Sequence, residues 1–350
     1  MYMPSPFLLE ETVLNVKKIG LLVAALVSTL TIEKTVHAEG AGFSISPSYN
    51  AAQTDTSLGY FSMNSQSDVD CDVAVNVHNL DKSTIGSYQV QLVDATTTNS
   101  GSVNYTPNGA PLVKTKLPFL TDLVSKKELT QHVTVAAGQV QTVHFNLHLP
   151  HKPIKGTLLG GIYVLKDSKD VLTHKGASTT NHFAMTLPIV INKDQQITPK
   201  LTLRNAKLNS EGGNPGVEAQ VVNHMPTLFG HIEMTSWITK AHQDKHLYER
   251  KVNNYTMAPR STLTHTIPTG NQALKRGKYT YHTTLTSGKR TYHLAKNFTV
   301  GAKEQKQINV ATGHEETNSN LHWYVIAGIG LIVLIALLWG AYRLGRRQHE

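Results

Sequence analysis

The sequence predicts an all-β protein in which two β-sandwich domains stand in tandem ahead of one transmembrane helix. Three observations carry this. Apolar residues recur at every second position between Phe43 and about Val300, amphipathic helical stretches are nearly absent there, and residues 323–342 form a run of 20 without a charge.

Taken in chain order, Lys17 and Lys18 precede an apolar run over 19–32, and Val36-His37-Ala38 follow it. Basic, apolar and small residues in that order make a secretory signal peptide, expected over 1–38, with the mature chain beginning near Glu39. An exported chain with the single cysteine Cys71 has no intramolecular disulfide, which is ordinary for a Gram-positive surface protein.

The first domain, 39–165, is read from its alternation. Val73, Val75 and Val77 alternate with Asp72, Ala74, Asn76 and His78, while Val143, Phe145, Leu147 and Leu149 alternate with Thr142, His144, Asn146 and His148. Such a period of two gives one dry face and one wet face, the mark of a half-buried strand. Tyr88, Val90 and Leu92 repeat the pattern, residues 160–165 read as a closing strand, and 117–129 is the best helical candidate. The charged stretch after Lys166 is read as a linker, 166–180. A second domain, 181–301, gathers strands at 185–191, 201–203, 217–222, 263–267, 279–285 and 292–300, with Tyr292, Leu294, Phe298 and Val300 on one face. Short strands separated by Gly, Asn, Asp and Pro favour immunoglobulin-like sandwiches over an α/β fold.

Residues 302–322 are polar and without period, so they read as a flexible stalk, about 25 Å long on average. The uncharged run 323–342 is long enough, at about 1.5 Å per residue, to cross a bilayer. Trp323, Tyr324, Trp339 and Tyr342 mark its ends, and Arg343, Arg346 and Arg347 place the tail 343–350 in the cytoplasm by the positive-inside rule. No Leu-Pro-x-Thr-Gly signal precedes the run, so the helix is expected to be retained as a permanent cell-membrane anchor.

The formal net charge is +9. With the three basic and three acidic residues of 1–38 and the three basic and one acidic of 343–350 set aside, 27 basic and 20 acidic residues remain outside. Mild basicity suits an anionic wall or serves solubility, and no basic cluster with interleaved aromatics points to nucleic acid.

Reactive constellations are not found, and no cofactor, metal or catalytic residue is expected. His144 and His148 are four strand residues apart, roughly 13 Å, too far to share a metal ion. His242 and His246 have the spacing of a zinc pair, but Gln243 occupies the place of a catalytic Glu, so they read as a surface loop. Cys71 reads as a buried or edge thiol, Phe61 as a core residue opening a strand, and Asp68 and Asp70 as solvated carboxylates.

What is patterned is more informative. Phe43-Ser-Ile-Ser-Pro47, Asn50, Gln53, Gly59-Tyr60-Phe61, Val75-Asn-Val-His-Asn79, Asp94-Ala-Thr-Thr97 and Leu159-Gly-Gly-Ile162 resemble the first domain of the WxL-interacting surface proteins of Gram-positive bacteria. Pro199-Lys-Leu-Thr-Leu203, Ala219-Gln-Val-Val-Asn223 with Pro226, and Met257-Ala-Pro259 resemble the second domain of that family, although Tyr292 stands where the family pattern expects a tryptophan. The resemblance implies a peptidoglycan-binding domain, a host-binding domain, and WxL-domain proteins as partners. A non-enzymatic scaffold at the wall is therefore expected, the alternatives being a stand-alone adhesin for host matrix and a wall-modifying hydrolase. Pro47, Asn50, Gln53 and Tyr60 are the candidate wall-binding residues, expected together on loops at one end or edge of the first domain, where alanine substitution of Asn50 and Gln53 would cost about 0.5 kcal/mol or less.

Overall fold

A computed structural model describes residues 40–64, 70–150, 154–167, 171–174, 177–180, 182–192, 197–209, 215–270, 274–311 and 319–346. The expected signal peptide, 1–38, lies outside the described residues.

The protein is all-β through its folded body. In chain order the strands of the N-terminal half are β1 (Phe43–Ser48), β2 (Phe61–Met63), β3 (Cys71–Asn79), β4 (Gly86–Asp94), β5 (Thr96–Thr97) and β6 (Val103–Asn104). They continue with β7 (Thr130–Val135), β8 (Val140–Leu147), β9 (Leu158–Lys166), β10 (Val171–His174), β11 (Ala177–Thr180) and β12 (Ala184–Ile191). One sheet has the order β1-β3-β8 and another the order β2-β12-β9-β4-β7, while β5 with β6 and β10 with β11 form two-stranded ribbons.

The two larger sheets share a core because their alternating residues face each other. Val73, Val75, Val77, Val143, Phe145 and Leu147 are buried from one side, and Phe61, Tyr88, Val90, Leu92, Ile162, Val164, Ile189 and Ile191 from the other. Phe43 of β1 meets Tyr88 of β4 at 5.2 Å between ring centres, across the layers. At one turn the Asn79 amide donates to the carbonyls of Thr84, Val135 and Ala136, which closes the β3–β4 connection over the core.

Three expectations for this half change. The apolar spacing of Leu120, Leu123 and Val124 looks helical, but 117–129 is a loop with a single 3-10 turn at Thr121–Leu123, pinned by its buried apolar side chains and by Asp94, which accepts from Thr121. The segment read as a linker, 166–180, holds the β10–β11 hairpin. Ala184–Ile191, read as the opening of the second domain, lies inside the first sheet system, antiparallel to β9 and parallel to β2. Its Leu187, Ile189 and Ile191 are buried there, an apolar alternation that fits any sandwich core equally well.

The C-terminal half contains β13 (Leu201–Asn209), β14 (Gly216–Asn223), β15 (Phe229–Lys240), β16 (Tyr248–Met257), β17 (Thr262–Pro268), β18 (Gly277–Ser287) and β19 (Arg290–Val300). Sheets β13-β14-β17 and β16-β15-β18-β19 contribute to one hydrophobic cluster, with Val217, Ala219, Leu263 and Ile267 from the first and Ile232, Met234, Ile238, Tyr281 and Leu285 from the second. Tyr292 seals one end, edge-on to Phe229 at 5.5 Å, with its hydroxyl donating to the Pro199 carbonyl at 3.1 Å.

The two halves are in contact through specific bonds. Thr256 N–H donates to the Gly101 carbonyl at 2.7 Å, Thr157 N–H to Pro226 at 2.7 Å, and Ala258 N–H to the Thr97 hydroxyl at 3.0 Å. Arg260, only 2% exposed, reaches from the β16–β17 turn into the 115–119 loop. Its guanidinium donates to Thr115 Oγ1 at 3.1 Å, Leu117 O at 2.7 Å and Pro118 O at 2.6 Å.

Two helices follow. The expected coil begins instead as α1 (Ala302–Ala311), whose start is closed by Glu304 accepting from Gly301 N–H at 3.1 Å. That one-sided cap, with Ala, Lys, Gln and Glu as good helix formers, explains a helix that has no apolar period to announce it. The second, α2 (Ser319–Arg346), runs for 28 residues. Among the described residues, no helix is long and apolar enough to cross a membrane.

Candidate functional site

The four residues singled out from the sequence lie along β1 and the β1–β2 connection. Pro47 is within β1, opposite Val75, rather than on a loop; β1 is an edge strand, where a missing N–H costs least. Asn50, Gln53 and Tyr60 are on the connection, half-buried. Their polar groups are spent on the chain itself. Asn50 donates to the Asp72 carbonyl and to Cys71 Sγ at 3.3 Å, and accepts from Ala52 N–H at 2.9 Å. Gln53 donates to Asp55 O at 2.6 Å and Tyr60 O at 3.1 Å, and accepts from Ser62 N–H at 2.9 Å. These carboxamides therefore set the shape of the loop.

What they shape is a cavity of about 330 Å³, lined by Ala51, Ala52, Thr54, Met63, Asn64, Cys71, Leu149 and Ile191. Cys71 opens β3 and is buried, its Sγ 3.2 Å from Met63 Sδ. Burial raises the thiol pKa, outweighing the Asn50 hydrogen bond that lowers it, so the neutral thiol is favoured.

The outer face of β3 and β8 is polar. His144 Nδ1 lies 2.8 Å from Asp72 and His148 Nδ1 3.0 Å from Asp70, all four solvent-facing. Asp70 and His148 are the chain neighbours of the lining residues Cys71 and Leu149. Thr142 donates to Asn76 Oδ1 at 2.8 Å in the next row. Among the described residues no group of three or more His, Cys, Asp or Glu could hold a metal ion.

The C-terminal half has a different outer face. On the sheet β16-β15-β18-β19, Trp237 stacks between His246 at 5.0 Å and His282 at 5.2 Å, with rings tilted by 23° and 6°. Glu249 holds His246 at 2.9 Å and the Thr239 hydroxyl lies 3.1 Å from His282. Burial, then the neighbouring His246, lowers the His282 pKa. His242 and His246 are on the exposed β15–β16 loop, as their surface reading expected.

Sequence reasoning singled out neither the cavity nor the Trp237 stack. Their members come from separate strands and loops, and the one local hint was an indole at a position of β15 that faces the wet side.

Comparison with known proteins bears on both halves. A family model described as WxL Interacting Protein, peptidoglycan binding domain, matches residues 43–166, and one described as WxL Interacting Protein, host binding domain, matches 174–310. No curated protein matches. Among solved structures, the CupB2 chaperone of Pseudomonas aeruginosa shares 12% identity, covering 66% of this chain and 93% of its own at a TM-score of 0.23. The E. coli chaperone DraB shares 16% identity, covering 69% and 93%, at a TM-score of 0.25. Likenesses this loose say nothing about what the chain binds.

Proposed function

Because this chain belongs to the WxL Interacting Protein family, we propose that it is a non-catalytic scaffold of the cell surface. Its N-terminal half binds peptidoglycan, its C-terminal half contacts host surfaces, and the two together hold WxL-domain proteins at the wall. The observation that carries this is the succession of the two family matches, 43–166 and then 174–310, over nearly the whole folded body. Each half is read as an immunoglobulin-like sandwich, supported by its pair of sheets around one core.

Membrane anchoring belongs to the same proposal. The run 323–342 carries no charge and Arg343, Arg346 and Arg347 follow it. In α2, Val325, Ile329, Ile332, Leu334, Leu337 and Trp339 are all more than half exposed around the helix. A helix apolar on every side has its natural solvent in lipid. The ectodomain would then stand outside and the basic tail inside.

The test uses the full-length chain. After muramidase digestion it should sediment with membranes and need detergent for extraction, and the extracted protein should be retained by purified sacculi and by a secreted WxL-domain protein. Capture by host matrix alone, with no retention by wall or WxL partner, would replace the scaffold by a stand-alone adhesin.

A further inference from the structure

We infer that the cavity beside Cys71 is a subsite for one N-acetylated sugar ring of the wall glycan, an assignment that rests on the peptidoglycan-binding reading above. Its volume, about 330 Å³, is at the lower end of the roughly 300–1,000 Å³ range of ligand pockets and suits a single substituted ring rather than a long chain. The lining is mixed in the way an acetamido sugar requires. Ala51, Ala52, Met63, Leu149, Ile191 and the Cys71 sulfur offer apolar contact for an acetyl methyl, and Thr54 and Asn64 bring polar atoms to the same walls.

Ring hydroxyls need partners that both accept and donate. Thr54 and Asn64 supply such groups in the wall, and the exposed pair Asp70 and His148, 3.0 Å apart, are the chain neighbours of the lining residues Cys71 and Leu149. A charged ligand group would be desolvated against the methyl-rich wall without a partner, which disfavours it relative to a neutral amide.

The wall of the cavity is also held in advance. The Asn50 amide ties the loop to β3 through Asp72, and Gln53 ties it to Tyr60 and Ser62, so 51–54 need not be ordered on binding. Little ordering entropy then opposes the ligand. In this arrangement Asn50 and Gln53 are positioning residues, and Ala51, Ala52 and Cys71 make the contact.

The experiment uses the full chain in detergent with tri-N-acetylchitotriose, its deacetylated counterpart and purified sacculi. The sole cysteine is a built-in reporter: an occupied cavity slows alkylation of Cys71 by a small maleimide. The acetylated trimer should protect Cys71 and the deacetylated one should not. Ala52→Phe, placed at an exposed lining position so that the core is untouched, should weaken binding of the acetylated trimer roughly tenfold or more with an unchanged melting temperature. Sacculi retained equally by wild type and Ala52→Phe, with no protection of Cys71 by either trimer, would overturn the subsite while leaving wall binding intact. Failure of the wild type to retain sacculi would remove the peptidoglycan-binding reading itself.

Discussion

The guanidinium of Arg260 lies 3.8 Å over the centre of the Phe119 ring, joining the β16–β17 turn to a loop of the N-terminal sheets. Burial lowers the pKa of this arginine, while Asp94 and Asp122 oppose the shift, and so high a starting value leaves the group charged. Arg260→Ala should cost about 3 kcal/mol, because three carbonyl or hydroxyl acceptors lose a charged donor and a void opens over Phe119. Arg260→Lys should recover little, since an ammonium cannot serve the Thr115, Leu117 and Pro118 oxygens in one plane. Denaturant unfolding followed through both halves checks this; a single unshifted transition in Arg260→Ala would show that the contact does not join them.

His265 sits at 1% exposure under Tyr255, and neither ring nitrogen has a hydrogen-bond partner among the described residues. Burial, then the charge of Arg250, pushes its pKa down from 6.5 to about 3. A depressed histidine binds its proton in the unfolded chain before the folded one. Its contribution to stability is therefore complete above about pH 6.5 and lost as pH falls toward 3, amounting to a few kcal/mol at the acid end. His265→Leu should abolish that part of the acid sensitivity and raise stability at pH 7 by about 1 kcal/mol. Unfolding free energies at pH 7 and pH 4.5 for both proteins measure the difference, which should be larger for the wild type.

Gly101 adopts φ of +75°, and a Cβ there would lie inside the ring of Tyr255. Gly101→Ala should destabilise the junction between the halves by about 2 kcal/mol through backbone strain and overpacking together. In Gly101→Ala/Tyr255→Ala the packing part should vanish, leaving the sum of the single costs larger than the cost of the pair. Strict additivity in that thermodynamic cycle would rule out the contact.

Asn50 and Gln53 each make three bonds that fix the β1–β2 connection, so the small cost expected of exposed loop residues does not apply. Asn50→Ala and Gln53→Ala should each lose about 1 to 2 kcal/mol and should raise the maleimide reactivity of Cys71 as the loop loosens. Unchanged reactivity in both variants would mean that the cavity keeps its shape without them.

How far the fold could be read from the sequence depended on how cleanly each strand separates wet from dry. β3 and β8 do so at nearly every position, and the solvent-facing His144 and His148 were legible for the same reason. β15 was not picked out because Ser236 interrupts its apolar period; buried at 0% exposure, it bonds to Thr283 at 2.8 Å inside the sheet. β16 buries only Tyr255 and Met257, so almost no alternation remains to be read. The cavity was illegible in another way. Asn50, Cys71 and Leu149 are distant in sequence, and only the antiparallel pairing of Cys71 with Leu147 brings the last two side by side.

The position of β12 has a consequence for how such a protein could be cut or recombined. In the sheet order β2-β12-β9-β4-β7 it is an interior strand, yet it lies beyond the 43–166 match and within the 174–310 match. A fragment ending at 166 would leave β2 without a neighbour and β9 with a bare edge, the kind of surface that recruits foreign strands. Ile189 and Ile191 would be stranded on the other piece, where no core awaits them. The two halves are thus not exchangeable beads: a crossover in the gene between codons 166 and 192 would separate a sheet from one of its own interior strands, so they should be inherited as one indivisible unit.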